Sequence, residues 1–230
     1  MLNPLELTGR TRSHVAEVPE LGCALHRETI GAALELREAA RRDGIGLEVA
    51  SGFRSIARQV AIWNAKFRGQ RALLGREGGA LERARLTDRE AVDAILVWSA
   101  LPGASRHHWG CDFDVIDRQA VATGHRPQLT AAEFAAGGIF AGLSAWLDAH
   151  AARYRFFRPY TVDRGGVMPE PWHLSYAPVA LPALAGLSLE VLTEAVAAAS
   201  MDAREQVLAR LPELYDRYVI SVEEPANFAH

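Results

Sequence analysis

Between residues 105 and 114 the chain runs Ser105-Arg106-His107-His108-Trp109-Gly110-Cys111-Asp112-Phe113-Asp114, and no other stretch restricts the fold so much. Cys111, Phe113 and Val115 alternate with Asp112 and Asp114, the period-two pattern of a strand with one apolar and one acidic face. The apolar face has to enter a core, which turns both carboxylates toward a cleft. Gly110, with no Cβ, lets the chain turn tightly from the His107 loop into that strand. A second block, Glu170-Pro171-Trp172-His173, is expected as a strand or turn, because proline blocks an internal helix hydrogen bond and pushes Glu170 toward extended backbone. The helical His-Glu-x-x-His arrangement occurs nowhere in the chain.

Together the two blocks supply the inventory of a catalytic zinc site, which needs three protein ligands and one open position. His107, Asp114 and His173 can fill the three positions, and Glu170 is then the base that takes a proton from water. His108 is the neighbouring alternative to His107. Asp112 shares the strand face of Asp114 and either orients a ligand histidine or is a solvated carboxylate. Cys111 has the opposite parity and reads as a core residue.

Ser105, His107, Gly110 and Asp114, followed by Glu170 and His173, resemble the zinc D-alanyl-D-alanine carboxypeptidase family. That family includes vancomycin-resistance carboxypeptidases and dipeptidases and some phage endolysins, and is related in fold to the hedgehog signalling domain. Ser51-Gly52-Phe53-Arg54-Ser55 with Gln59 matches its remaining block, so the resemblance spans residues 20 to 180 in the family's order. It implies Zn2+ held by His107, Asp114 and His173, with Glu170 as general base. Arg54 would stabilise the oxyanion or hold a substrate carboxylate, work suited to a forked, permanently charged guanidinium. Ser51, Gln59, Ser105 and Trp172 are the candidate substrate contacts. Both serines could instead cap turns, and Trp172, like Trp109, could simply pack. The chain departs from the family at Phe53, where tyrosine is frequent, and at Leu174-Ser175, which bears on specificity more than on reaction type.

A formal net charge of -3 lacks the basic excess of a nucleic-acid binder, and Cys23 and Cys111 make no disulfide framework. No run of about 18 apolar residues is present to span a membrane. The N-terminus has neither a basic start nor an apolar h-region, so the expected compartment is the cytoplasm, with recycled wall peptides or precursors as substrates.

Residues 27 to 43 read as an amphipathic helix, Leu47 to Ala50 as a core strand, and Gln59 to Trp63 as part of the next helix. Residues 68 to 92 are either an excursion over the cleft or a solvated loop, the loop being the default. Capping boxes at Thr87 and Thr130 open short helices. Phe140 to Ala151 is a further helix, Tyr154 to Tyr160 an aromatic strand, and Ser188 to about Tyr218 a helical tract with a helix start at Asp202-Ala203-Arg204-Glu205. The expectation is an α+β fold in which a small antiparallel sheet carries the zinc site between helices. Residues 1–180 form the peptidase domain and 181–230 a helical appendage. The expected activity is removal of terminal D-alanine from peptidoglycan-derived peptides, with D,D or L,D specificity. The alternatives are an endopeptidase of the same fold and a non-catalytic zinc-containing peptide-binding domain.

Overall fold

The alternation at residues 111–115 does fold as a strand, and that strand is central to the main sheet. In the computed structural model, which describes residues 1–121, 125–223 and 225, helix α1 (Pro4–Leu7) precedes strands β1 (Val15–Val18) and β2 (Cys23–His26). Helix α2 (Ile30–Arg42), strand β3 (Leu47–Ser51) and helix α3 (Ile56–Phe67) come next. A hairpin of β4 (Leu73–Leu74) and β5 (Ala80–Leu81) leads to α4 (Asp88–Trp98) and β6 (Asp112–Asp117). Beyond them lie α5 (Ala131–Phe134), α6 (Ala141–His150), β7 (Phe156–Phe157), β8 (His173–Tyr176), α7 (Ala177–Gly186), α8 (Leu189–Ala198), α9 (Arg204–Ala209) and α10 (Leu211–Tyr218).

The main sheet has the order β3-β6-β8-β7, with every neighbouring pair antiparallel. Its register places Asp114 opposite Ser51 on one side and opposite His173 on the other. A slip of one residue would turn Asp114 into the core and Phe113 into the cleft, so burial of the apolar face fixes the register. Phe113 meets Phe156 edge to face at 5.3 Å between centroids, and Leu174 is fully buried beside them. Each such side chain contributes roughly 1.5–3 kcal/mol on leaving water. Helix α2 buries Ala33, Leu36 and Ala40 on one stripe, and α3 starts where the Ser55 hydroxyl accepts from the Arg58 amide. Both expected capping boxes are formed, at Thr87–Glu90 and Thr130–Glu133. The result is the α+β architecture read from the sequence.

Three local expectations need correction. Residues 68–92 are not one solvated loop: they contain the β4–β5 hairpin and the first turns of α4, and Trp98 ties the hairpin down by donating its indole N–H to the Gly75 carbonyl. The aromatic strand expected over Tyr154–Tyr160 shrinks to Phe156–Phe157, because Ala151–Tyr154 coil into a 3₁₀ turn that ends at Arg155 with φ 64°. The helical tract from Ser188 breaks at the helix start read at Asp202–Glu205, where Ala203 takes φ 55°, and breaks once more at Arg210, so that it becomes α8, α9 and α10. The division drawn at 180/181 falls inside α7, and Leu192, Val196, Val207, Leu211 and Leu214 share one hydrophobic cluster with Trp63 and Ile95. Among the described residues no single helix is long and apolar enough to cross a membrane. The bent pair α7–α8 passes by length and composition only.

Candidate active site

His107 lies in a 3₁₀ turn, Arg106–Trp109, that ends at Gly110 with φ 69°. A Cβ on Gly110 would also press on the Val15 side chain and come within 2.8 Å of the His26 amide nitrogen, so the turn into β6 needs glycine for both backbone and space. The turn aims His107 at Asp114 on β6, and the strand register brings His173 to the same point from β8. His107 Nε2 stands 3.4 Å from Asp114 Oδ2, and His173 Nδ1 stands 3.2 Å from Asp114 Oδ1. One ligand atom from each of the three lies within 4.8 Å of the others, and all three residues are buried.

The fit of this trio to a metal ion can be tested from unmet bonding capacity. Asp114 Oδ1 and His173 Nδ1 are buried polar atoms with no hydrogen-bond partner, a costly state that an ion between them would relieve. The outer ring nitrogens are occupied. His107 Nδ1 is 3.1 Å from the Gly52 carbonyl and His173 Nε2 is 3.1 Å from Asp112 Oδ1, an arrangement that leaves the other nitrogen of each ring facing Asp114. Burial lowers His107 to about 3, keeping its ring neutral. At His173 burial opposes the charge, but the surrounding carboxylates of Asp112, Asp114 and Glu170 outweigh it and raise the group well above its ordinary value. The same concentration of negative charge favours a dication. Two imidazoles and a carboxylate suit zinc.

Asp112 does not look into the cleft. It is fully buried behind His173, where Arg106 Nε donates to its Oδ1 at 2.7 Å and the Cys111 thiol donates to Oδ2 at 3.1 Å. Burial disfavours its charge, yet Arg106 and His173 hold it down at about 2. Arg106 also donates to Ser175 Oγ at 2.7 Å and stacks over the Trp109 ring. Cys111 is a core residue, and Trp109 packs with its indole N–H on the Leu7 carbonyl. His108 uses Nδ1 on the Arg54 carbonyl at 2.6 Å and accepts from the Gly103 amide at Nε2, which leaves no nitrogen for a metal.

Glu170 and Arg54 line the same cleft as the trio, with a volume of about 750 Å³, a size that suits a short peptide. Glu170 Oε2 lies 3.4 Å from His173 Nδ1, and burial raises its carboxyl above the ordinary value. Arg54 is aimed by two contacts at 2.9 Å, Nη1 to Gln59 Oε1 and Nη2 to Ser51 Oγ. Of the candidate substrate residues, Gln59 is fully buried with its amide nitrogen on the Ala100 carbonyl, Ser51 does not line the cleft, and both are hydrogen-bonded to Arg54. Ser105 and Trp172 do line the cleft, and the Ser105 hydroxyl is buried without a partner. Tyr160, which the sequence did not single out, borders the cleft with its ring 5.3 Å from that of His173.

The β4–β5 hairpin forms part of the rim through Leu74, Arg76, Glu77 and Gly78. Arg76 closes on Asp163 and also donates to the Gly166 carbonyl at 3.0 Å, while Arg217 from α10 donates to the Gly165 carbonyl at 2.6 Å. Gly166 lies directly against the Arg217 backbone.

Comparison with known proteins agrees with this geometry. The profile of the family described as VanY, D-alanyl-D-alanine carboxypeptidase, matches residues 22–179 and so takes in every residue named at the trio, at Glu170 and at Arg54. The chain belongs to the VanY family. Among relatives, an uncharacterised protein of Haemophilus influenzae is 38% identical over 103 residues, covering 44% of this chain and 70% of that protein. A D-alanyl-D-alanine carboxypeptidase of Enterococcus faecalis is 29% identical over 145 residues, covering 62% of this chain and 44% of that protein. The solved structure of VanYB in complex with D-alanine-D-alanine superposes with a TM-score of 0.54 at 23% identity, over 82% of this chain and 91% of that one, which is a likeness of fold. The helices α8 to α10 lie outside the part of the chain that the VanY profile matches.

Proposed function

We propose that this VanY-family chain is a zinc-dependent carboxypeptidase that removes the terminal D-alanine from peptidoglycan-derived peptides. The observation that carries the proposal is the pair of buried, unpartnered ligand atoms on Asp114 and His173, converging with His107 Nε2 beside a carboxyl group that burial keeps protonatable. His107, Asp114 and His173 would hold the metal, and zinc, when bound, supplies a Lewis acid that makes water nucleophilic near neutral pH.

The remaining chemistry belongs to side chains. Glu170 takes a proton from the attacking water, and its raised affinity for that proton suits a group that must then deliver it to the departing amine nitrogen. Arg54, held by Ser51 and Gln59, presents its remaining N–H groups where negative charge develops on the former carbonyl oxygen. The unpartnered Ser105 hydroxyl is a donor for the peptide, and Trp172 forms apolar wall. A non-catalytic binding domain would have no use for Glu170 in this position.

The test is mass spectrometry of defined muropeptides after incubation with zinc-loaded protein. Loss of one alanine from a pentapeptide ending in D-Ala-D-Ala identifies a D,D-enzyme, and loss from the tetrapeptide an L,D-enzyme. If zinc is bound and neither peptide is shortened, the proposal fails.

A further inference from the structure

Among the described residues, the cleft contains one cation that neither the fold nor the reacting centre uses. Lysine and arginine together number 25 in this chain, and Lys66 is the only lysine among them. It sits in the last turn of α3 with its side chain on the cleft wall, where Nζ donates to Ser99 Oγ at 2.7 Å. An ammonium has three donors, so two remain for another partner. Of the other arginines of the cleft, Arg76 is closed on Asp163 and Arg106 is paired with Asp112 behind the metal residues, while Arg54, held by Ser51 and Gln59, is the cation of the reacting centre. Lys66 makes no ion pair with any carboxylate among the described residues. Burial lowers its proton affinity, and the more distant Glu170 only partly restores it.

A half-buried ammonium without a counter-ion costs stability, and the cost is recovered when a ligand brings the missing charge. The position of Lys66 says where that ligand lies. Arg54 bonds to Gln59, Gln59 bonds to the Ala100 carbonyl, and the adjoining Ser99 bonds to Lys66, so the two cations stand on one continuous wall with the reacting centre at the Arg54 end. We infer that Lys66 is a specificity-determining residue that binds a carboxylate of the peptide substrate, one step along the cleft from Arg54. The carboxylate comes either from the free C-terminus of the departing residue or from an acidic side chain of the peptide. This inference rests on the carboxypeptidase reading above. Its ligand group is a carboxylate in both cases, and a compact ammonium meets it as a point charge instead of a planar fork.

The test uses zinc-loaded full-length protein, its Lys66→Met and Lys66→Arg variants, and matched peptides in which either the terminal carboxylate or the side-chain carboxylate is amidated. Losing a charge-assisted hydrogen bond of this kind raises KM about 10- to 100-fold, with kcat changed less than about threefold. Lys66→Arg should recover part of that loss, as a merely structural role for the lysine stem would not require. If the penalty in Lys66→Met vanishes on the terminal amide, Lys66 reads the C-terminus. If it vanishes on the side-chain amide, Lys66 reads the side chain. Equal kcat/KM for Lys66→Met and wild type on every peptide overturns the inference while leaving the carboxypeptidase reading intact.

A second readout does not need turnover. Reductive methylation with 13C-formaldehyde labels only Lys66 Nζ and the terminal α-amine, and Lys66→Arg identifies which resonance is which. In the Glu170→Gln background the Lys66 resonance should shift on addition of D-alanyl-D-alanine or an acidic muropeptide, while the α-amine resonance stays. Should wild type cleave none of the peptides, a shift would sustain the carboxylate site without the enzyme reading, and no shift would refute both.

Discussion

The buried pair behind His173 makes a quantitative prediction. Asp112 is 0% exposed and Arg106 4%, and they meet at 2.7 Å with a further contact to His173. In Asp112→Asn the volume is kept, but Arg106 is left as an uncompensated charge in the core. Removing one member of such a pair costs about 3–5 kcal/mol. At about 2–4 °C per kcal/mol for a chain of this size, the midpoint of thermal unfolding should fall by roughly 6–20 °C. His173 also loses the carboxylate that fixes its tautomer, and zinc affinity should drop by about 10- to 100-fold. The double variant Arg106→Met/Asp112→Asn separates the two effects. It removes the stranded charge, so most of the thermal loss should return, whereas zinc affinity should stay low because His173 Nε2 still lacks its anion. Calorimetry on the metal-free proteins and competition with a chromophoric chelator measure the two quantities. Asp112→Asn with wild-type stability and wild-type zinc affinity would refute the argument, as would a double variant in which both losses recover together.

Glu170→Gln should lower kcat by at least about 10²- to 10⁴-fold with zinc still bound, measured by muropeptide turnover alongside metal analysis. Chelation should remove all activity from wild type, and added zinc should restore it. Gly110→Ala, which forces a Cβ toward Val15 and the His26 amide at positive φ, should destabilise the fold by more than about 1 kcal/mol in denaturant titration. Gln59→Leu should lower kcat more than it raises KM, because the Arg54 fork loses one of its two holds at no loss of substrate contact.

Much of the metal trio was legible because its residues stand in short, rigid contexts. Strand parity sets Asp112 and Asp114 on one face and Pro171 marks the Glu170–His173 block as strand or turn, while the choice of His107 over His108 comes from the motif of the zinc carboxypeptidase family. Parity alone could not say that Asp112 is covered while Asp114 is open, since that depends on Arg106 and Ser175 reaching it from other elements. Ser51 and Gln59 were recognised as part of a functional block, but the sequence carried no sign that they hold Arg54 from behind. Lys66 follows Gln59 by seven residues on one face of α3, two turns of helix, and that spacing was the one available hint. The hairpin at the rim was missed because its strands are two residues each, too short for any periodicity to register.

The fastening of the cleft rim bears on how fast peptides enter and leave. Arg76 and Arg217 grip adjacent carbonyls of one loop, the first from the hairpin and the second from the last helix. Widening the entrance therefore means breaking local contacts on an exposed edge, an event far less costly than global unfolding and of the kind that limits turnover in many enzymes. On the proposed carboxypeptidase reading, a substitution that loosens Arg217 on α10 is expected to change kcat through product release without moving any atom that touches the scissile bond.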